Sequence, residues 1–239
     1  SHLVGKGRME EPDKIIAVLE EFFASRTVLE KKKIVITAGP TYEKIDPVRF
    51  IGNYSSGKMG FALAEACAQQ GAEVTLIAGP VSLTTTHPNI QRIDVESAEE
   101  MYQAAMTAFP EADAGILCAA VAEIQADEKI KRESKGEMML HLVPNKDIAA
   151  SLGAIKREGQ VLVGFALETN NEATNAESKL KRKNLDFIVL NSLRDAGAGF
   201  RCDTNKISII DRQGETTGYP LKSKQGVAVD IVNKLATLL

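Results

Sequence analysis

Short, continuous apolar runs alternate along the chain with stretches whose apolar residues recur every three or four positions. The runs are Ile34–Ala38, Val74–Ala78, Ala114–Ala120, Val161–Ala166 and Phe187–Asn191. Helical periodicity covers Lys58–Gln70, Ala98–Ala108, Asp147–Ile155 and Ala173–Arg182 between them. Strands without a polar face, separated by helices, predict a mostly parallel sheet covered on both sides. Further on, Lys206–Asp211 and Gly218–Leu221 alternate apolar and polar residues around Gln213-Gly214, and Lys224–Leu239 reads as a last helix. The fold class is therefore α/β: a doubly wound, mostly parallel Rossmann-like sheet with a small antiparallel β extension near its edge.

Two segments fall outside this plan. Residues 1–32 carry Glu11-Pro12, a short amphipathic helix Asp13–Ala24 and basic residues leading into the first strand. They read as a linker from something upstream, with Ser1-His2 of the kind a cloning remnant leaves; residues 33–239 form the domain. Residues 123–137 are charged and contain a glycine. A charge run is usually a solvated surface loop. The alternative is a mobile flap bringing cations to a phosphate-bearing site. The flap is favoured because the segment follows a strand whose C-terminal end should face the ligand crevice.

The candidate chemistry lies in the loop between the first strand and the first helix. A structural βα loop takes roughly 2–6 residues, whereas this one runs from Gly39 to Gly57 and holds Asp46-Pro47, Arg49, Asn53 and, at its end, Lys58. Its glycines and serines suit ordinary turns, with Ser55 or Ser56 capping the helix. Its length and charge point instead to a phosphate site made from loop N–H groups and a helix N-terminus. Two common nucleotide motifs fail. Gly52 to Lys58 reads G-x-x-x-x-G-K, but Met59 occupies the place where a P-loop needs Ser or Thr. No G-x-G-x-x-G follows the first strand, and the second ends in Gly79-Pro80, without an acid for a ribose hydroxyl.

Bulk properties narrow the partners. At 239 residues and 44% hydrophobic, the chain can bury a full core. A net charge of −3 gives no electrostatic case for nucleic acid or an anionic membrane. No run approaches the ~18 apolar residues of a membrane span, and no signal peptide is visible; a cytoplasmic location is expected because free thiols suit a reducing compartment. Cys67, Cys118 and Cys202 are widely spaced and read as buried free thiols, and the scattered His2, His87 and His141 argue against zinc.

Taken in order, several blocks resemble the phosphopantothenate–cysteine ligase family (phosphopantothenoylcysteine synthetase). They are Ile36-Thr-Ala-Gly-Pro-Thr41, Asp46-Pro-Val-Arg49, Asn53-Tyr-Ser-Ser-Gly-Lys-Met-Gly60, Ala78-Gly-Pro-Val-Ser82 and Cys118-Ala-Ala-Val-Ala122. Lys129-Ile-Lys131, Asn145 with Asp147-Ile148, Gly164-Phe-Ala166 with Glu168-Thr-Asn170, and Lys183-Asn-Leu-Asp186 continue the series. Gly7-Arg-Met9 and Glu11-Pro12 resemble the connector after the decarboxylase half of the bacterial bifunctional coenzyme A biosynthesis protein, so the chain reads as the ligase half of such a fusion.

The resemblance implies a reaction in which CTP or ATP, with Mg²⁺, activates the carboxylate of 4′-phosphopantothenate as an acyl-nucleotide and releases pyrophosphate. The amine of L-cysteine then attacks. Bringing a carboxylate to a triphosphate requires cations and oriented donors. By this resemblance Asn53 and Lys129 are catalytic: Asn53 holds the carboxylate and Lys129, on the flap with Lys131 and Arg132, serves acyl-nucleotide formation. An Asn amide donates and accepts at once, which suits that role. Gly39, Ser55, Ser56, Gly57, Lys58, Ala119 and Ala120 are implied to bind substrate. Leu117, Cys118, Ala119, Glu123, Lys129, Lys146, Asp147, Ile148, Ala149, Phe165, Lys179 and Lys183 are implied to bind the nucleotide.

Some of these residues have two readings. Phe165 is either a core residue or a platform for the nucleobase. Lys179 and Lys183, at i and i+4, share a helix face that spacing alone would assign to solvent. No metal ligands are assigned. The resemblance also implies a homodimer. One departure stands out: the family's Ala-Ala-Val-Ala is followed by Asp and an aromatic residue, whereas here Glu123-Ile124 follow Ala122 and the approach to Lys129 is shorter. Two other readings are an NAD(P)-dependent oxidoreductase, opposed by the missing glycine fingerprint, and a non-catalytic module that binds a phosphate ligand.

Overall fold

The first strand shows why the sheet forms. Of Lys33–Ala38 (β1), every residue after Lys33 is buried, so both faces need cover. The structure is a computed structural model and describes residues 10–16, 18, 27–126, 140–168, 172–192 and 202–239. After β1 come a hairpin, Tyr42–Lys44 (β2) and Phe50–Gly52 (β3), then helix Lys58–Gln69 (α1), strands Glu73–Ala78 (β4) and Ile90–Asp94 (β5), and helix Ala98–Ala108 (α2). Ala114–Leu117 (β6), Ile124–Ala126 (β7), Leu142–Pro144 (β8), helix Ile148–Ile155 (α3), Val161–Glu168 (β9) and helix Glu172–Arg182 (α4) follow. The chain ends with Phe187–Ser192 (β10), Thr204–Asn205 (β11), Ile207–Asp211 (β12), Thr216–Gly218 (β13), Lys222–Ser223 (β14) and helix Lys224–Ala236 (α5).

Among the described residues the main sheet has the order β13-β12-β10-β9-β6-β1-β4-β5. From β10 to β5 every pairing is parallel. β12 and β13 form the antiparallel extension at one edge. One face is covered by α1 and α5, where Leu63, Cys67, Ile231 and Leu235 meet Ile34, Ile36 and Val163. On the other face Met101 and Ala105 of α2, Leu152 of α3 and Leu180 of α4 meet Val35, Ile77 and Leu162. Burial of each such side chain contributes roughly 1.5–3 kcal/mol. An exposed ion pair contributes about 0–1 kcal/mol, so packing sets the layers.

The topology creates the crevice. After β1 the chain winds outward through β4 and β5, then returns to the other side of β1 as β6 and winds away through β9 and β10. The strand order reverses between β1 and β6, and open α/β sheets bind ligands beyond the C-terminal ends of the strands at such a reversal.

The elements of the main sheet fall close to their predicted positions, with several differences. The strand expected at Gly218–Leu221 lies instead at Thr216–Gly218, followed by Lys222–Ser223, and the short pairs β2–β3, β7–β8 and β11–β14 are not among the expected elements. β6 stops at Leu117, so Cys118–Ala120 is loop. Cys67 is buried as expected, but Cys118, which packs on the edge of the core from a loop, and Cys202 are only partly buried. Lys183 lies one residue past α4, although its N–H still donates to the Lys179 carbonyl at 3.0 Å. β5, a half-exposed edge strand that carries Gln91, Arg92 and Asp94, has no apolar run to reveal it. Helical backbone is described for residues 12–16 and 18 of the expected Asp13–Ala24 helix; the remainder lies outside the described residues.

Candidate active site

The crevice is built from the β1 loop upward. Gly57 precedes α1 with φ of 76°, a left-handed conformation that glycine adopts without strain. It is the N-cap residue, in place of Ser55 or Ser56, and no side chain caps the helix. The first amide groups of α1 therefore point outward, with the positive end of the helix dipole behind them. Gly60 lets α1 approach the sheet, since a Cβ there would lie 2.5 Å from that of Ala38. The helix N-terminus is thus held at the end of β1.

The β6 loop is stitched to the β1 loop across the strand reversal. The Cys118 N–H donates to the Thr37 carbonyl at 3.2 Å, Ala120 N–H to the Gly39 carbonyl at 2.9 Å, and Ala122 N–H to the buried Thr41 hydroxyl at 2.8 Å. Asn53 closes the seam by donating through Nδ2 to the Ala120 carbonyl at 2.9 Å. The β2–β3 hairpin that carries the chain toward Asn53 is anchored in turn. Its Tyr42 and Phe50 rings stack at 3.9 Å, and the buried Glu43 carboxylate accepts from Ala98 N–H at 2.8 Å.

The resulting cavity is lined by Ser55, Ser56, Gly57 and Lys58 of the first loop, Cys118, Ala119 and Ala120 of the second, and Phe165 of β9. These are eight of the residues named from the sequence. Phe165 both lines the cavity and packs on the core, so its two readings hold together. Gly39 and Asn53 belong to the supporting seam. Leu117, the last residue of β6, is half-buried against the α2–α4 face.

A second set of named residues is gathered elsewhere. Asp147 caps α3, accepting from Ala150 N–H at 3.0 Å, and pairs with Lys183 at 2.9 Å. Burial alone would raise the Asp147 pKa, but the Ala150 and Lys183 hydrogen bonds outweigh it and hold the carboxylate below its ordinary range. Lys146 pairs with Glu99 of α2 at 2.8 Å and lies 4.7 Å from the Tyr102 ring centroid. Ile148 is buried in the core and Ala149 half-buried. Glu123 has an exposed side chain, and its carbonyl accepts from Asn145 N–H at 2.9 Å. Lys179 lies near the end of α4. Of the charged 123–137 stretch, Ile124–Ala126 form β7, which pairs antiparallel with β8; residues 127–137 lie outside the described residues. Lys129, Lys131 and Arg132 lie outside the described residues.

Three polar residues of the cavity, and one ion pair beside it, were not named from the sequence. Asn191, at the end of β10, has a buried side-chain oxygen with no hydrogen-bond partner among the described residues, an arrangement that calls for a ligand donor. Asn205 is buried on the same lining. Lys224, the first residue of α5, is buried there and donates to the Cys202 carbonyl at 2.6 Å. Lys58 pairs with Asp203 at 2.5 Å. A polar residue ending an apolar strand was the available hint for Asn191. Burial pushes the Cys118 thiol up to about 12, so it stays protonated and is no nucleophile at neutral pH. Among the described residues the cavity lining includes no carboxylate, and no three His, Cys, Asp or Glu side chains converge. The lining therefore does not fit a protein-held Mg²⁺.

Fold and site together define a doubly wound α/β domain with an anion-receptive cavity at its topological switch point. A family model described as the DNA/pantothenate metabolism flavoprotein C-terminal domain matches residues 29–239, and the chain belongs to this family. It is 55% identical, over all of its length and 68% of the relative, to a protein named cysteine/cysteine sulfinic acid decarboxylase from an unknown prokaryotic organism. It is 46% identical to the coenzyme A biosynthesis bifunctional protein CoaBC of Bacillus subtilis (strain 168), covering 98% of this chain and 59% of that one. The chain thus spans about three fifths of the length of that relative. A crystal structure of the C-terminal domain of CoaBC superimposes with a TM-score of 0.77 at 37% identity, covering 89% of this chain and 97% of the other. Among the described residues no helix is long and apolar enough to cross a membrane.

Proposed function

We propose that this domain joins L-cysteine to 4′-phosphopantothenate, a step of coenzyme A biosynthesis, and that it is natively fused to a decarboxylase domain as in bifunctional relatives. The observation that carries this reading is the cavity at the strand reversal, where the uncapped α1 N-terminus, Lys58 and Lys224 meet the Asn53 seam. Open amides and ammonium groups suit phosphate, while the unpaired Asn191 oxygen suits a hydroxyl or amino donor on the same ligand. A nucleotide has both. In this reading CTP activates the carboxylate of 4′-phosphopantothenate as an acyl-cytidylate, with pyrophosphate leaving along the α1 terminus. Asn53 holds the carboxyl oxygen while the cysteine amine attacks, and Lys129 assists the first step. Mg²⁺ enters with the nucleotide, held chiefly by phosphate oxygens.

A homodimer is also proposed. Val48, Phe50 and Tyr54, on and beside the β2–β3 hairpin, are exposed apolar or aromatic residues next to Asn53. A cluster of this kind marks an association surface. Sedimentation of wild type and Val48→Glu checks it: a dimer shifted to monomer by the variant is expected, and a monomeric wild type ends the idea.

The functional test follows pyrophosphate release with 4′-phosphopantothenate and Mg²⁺, comparing CTP with ATP, with and without cysteine. Release that depends on phosphopantothenate, faster with CTP, and coupled product on adding cysteine are expected. Decarboxylation of cysteine sulfinic acid without any such release would overturn the reading.

A further inference from the structure

The end of α4 is held by a network that the cavity does not explain. Asn184 follows the helix with φ of 52°, a left-handed conformation that glycine more often fills. Its N–H donates to the Lys181 carbonyl at 3.3 Å, and the Leu185 N–H to the Leu180 carbonyl at 3.0 Å. This is a Schellman helix end, with Leu180 and Leu185 in the same core. The asparagine side chain adds what glycine could not. Its Nδ2 donates to the Gly153 carbonyl of α3 at 2.8 Å, and its Oδ1 accepts from Arg212 at 2.5 Å. The Asn184 carbonyl accepts from Lys156 at 2.8 Å. Lys156 and Arg212 then meet at the Asp186 carboxylate, 2.8 and 3.1 Å away.

Lys183 connects this lock to the residues read as nucleotide-binding. Gly153, in the last turn of α3, admits no Cβ, because one there would overlap the Lys183 carbonyl. The Lys183 ammonium pairs at 2.9 Å with Asp147, the residue that caps the start of the same helix. Its side chain therefore runs along α3 toward the N-terminus, and the place of the ammonium follows the place of the backbone. We propose that Asn184 is a positioning residue for the nucleotide: by locking the end of α4 onto α3, it sets where the Lys183 ammonium stands. This rests on the reading of Lys183 as a nucleotide residue; Asn184 acts through it and not on the ligand.

Asp147 reports where that ammonium stands. Burial raises its pKa, while the Ala150 N–H, the Lys183 ammonium and, more weakly, Arg182 hold it below the ordinary carboxylate value. Withdrawing Lys183 therefore moves the Asp147 midpoint upward. A cap that served only to end α4 would cost stability and leave that midpoint in place.

The test is carbon-13 titration of the Asp147 carboxyl in the full chain, with kcat and KM for CTP measured alongside. Asn184→Gly keeps the left-handed backbone without strain and removes the amide. It should raise the Asp147 midpoint, as Lys183→Met does, and the double variant should go no higher than Lys183→Met alone. KM for CTP should rise about three- to ten-fold with kcat nearly unchanged, the mark of lost binding and not of lost chemistry. If Asn184→Gly fails to fold, Arg212→Gln, which frees Asn184 from its other side, should give a smaller rise. An unmoved Asp147 midpoint in the folded variant, or a further rise in the double variant, would refute the positioning role. If wild type does not turn over CTP, or Lys183→Met leaves its KM unmoved, the nucleotide reading fails instead, and a raised midpoint still upholds the lock on Lys183.

Discussion

Two groups of lysines stand near the C-terminal ends of the strands, and their surroundings differ. Lys58 and Lys224 line a cavity, one carrying an exposed carboxylate and the other bound to a backbone carbonyl. Lys146 and Lys183, at the start of α3 and the end of α4, are neutralised by Glu99 and Asp147. Lys58, like Lys146 and Lys183, must exchange a carboxylate before it can take an anionic ligand, but unlike them it lines the cavity. For exposed pairs that exchange costs only about 0–1 kcal/mol. The first group is therefore suited to hold the ligand, and the second to respond to it.

The largest expected effect breaks the cavity side at its seam. Asn53→Ala should lower the rate of coupled product formation by about 100- to 1,000-fold, the usual cost of removing one oriented donor from a reacting oxygen. CTP binding by calorimetry should change little; an unchanged rate would take Asn53 out of the chemistry. Next, Gly60→Val should destabilise the fold by about 1–3 kcal/mol, because the added carbons meet Ala38 and push α1 off β1. The denaturant midpoint reads this, and an unshifted midpoint would show that α1 is not held so closely.

The paired side should respond more gently. Asp147→Asn keeps a good helix cap but frees Lys183. Stability should move by less than about 1 kcal/mol and nucleotide affinity rise by up to about five-fold; weaker binding would mean that the carboxylate itself serves the ligand. The smallest effect sits on the hairpin. A side-chain hydrogen bond from Arg49, with those of the Val48 and Arg49 N–H groups, lowers the Asp46 pKa from 3.8 to about 2. A depressed folded pKa stabilises the turn fully above the unfolded value, and that contribution is lost as pH falls through the window from 3.8 to about 2. Carbon-13 titration of the carboxyl should find the low midpoint, and one near 3.8 would show the turn open in solution.

Much of this was legible before any coordinates. β1, its long loop and α1 follow from local pattern, as do α2, found with its expected bounds, and β12, whereas its partner β13 lies at Thr216–Gly218 and not at Gly218–Leu221. Of the eight named residues that line the cavity, seven stand in or directly after the two loops that follow β1 and β6, where strand ends set loop positions, and Phe165 stands on β9. β5 escaped notice because an edge strand alternates too weakly to register. Ser55 and Ser56 looked like caps, but the chain needed a left-handed residue there and used Gly57. Lys146 was implied to bind the nucleotide through its backbone at a helix N-terminus, and the ion pair of its side chain with Glu99 on another helix has no trace in local spacing.

The sequence by itself determined the elements, their alternation and the loop that collects amides at a helix terminus. These depend on periodicity and backbone preference, which act over a few residues. Only the tertiary structure decided which charges meet. Lys224 reaches the cavity of Lys58, and Asn191 presents its unpaired oxygen there, because the order of strands folds distant segments onto one crevice. Charges interact through space over roughly a Debye length of 8–10 Å, whatever their separation along the chain.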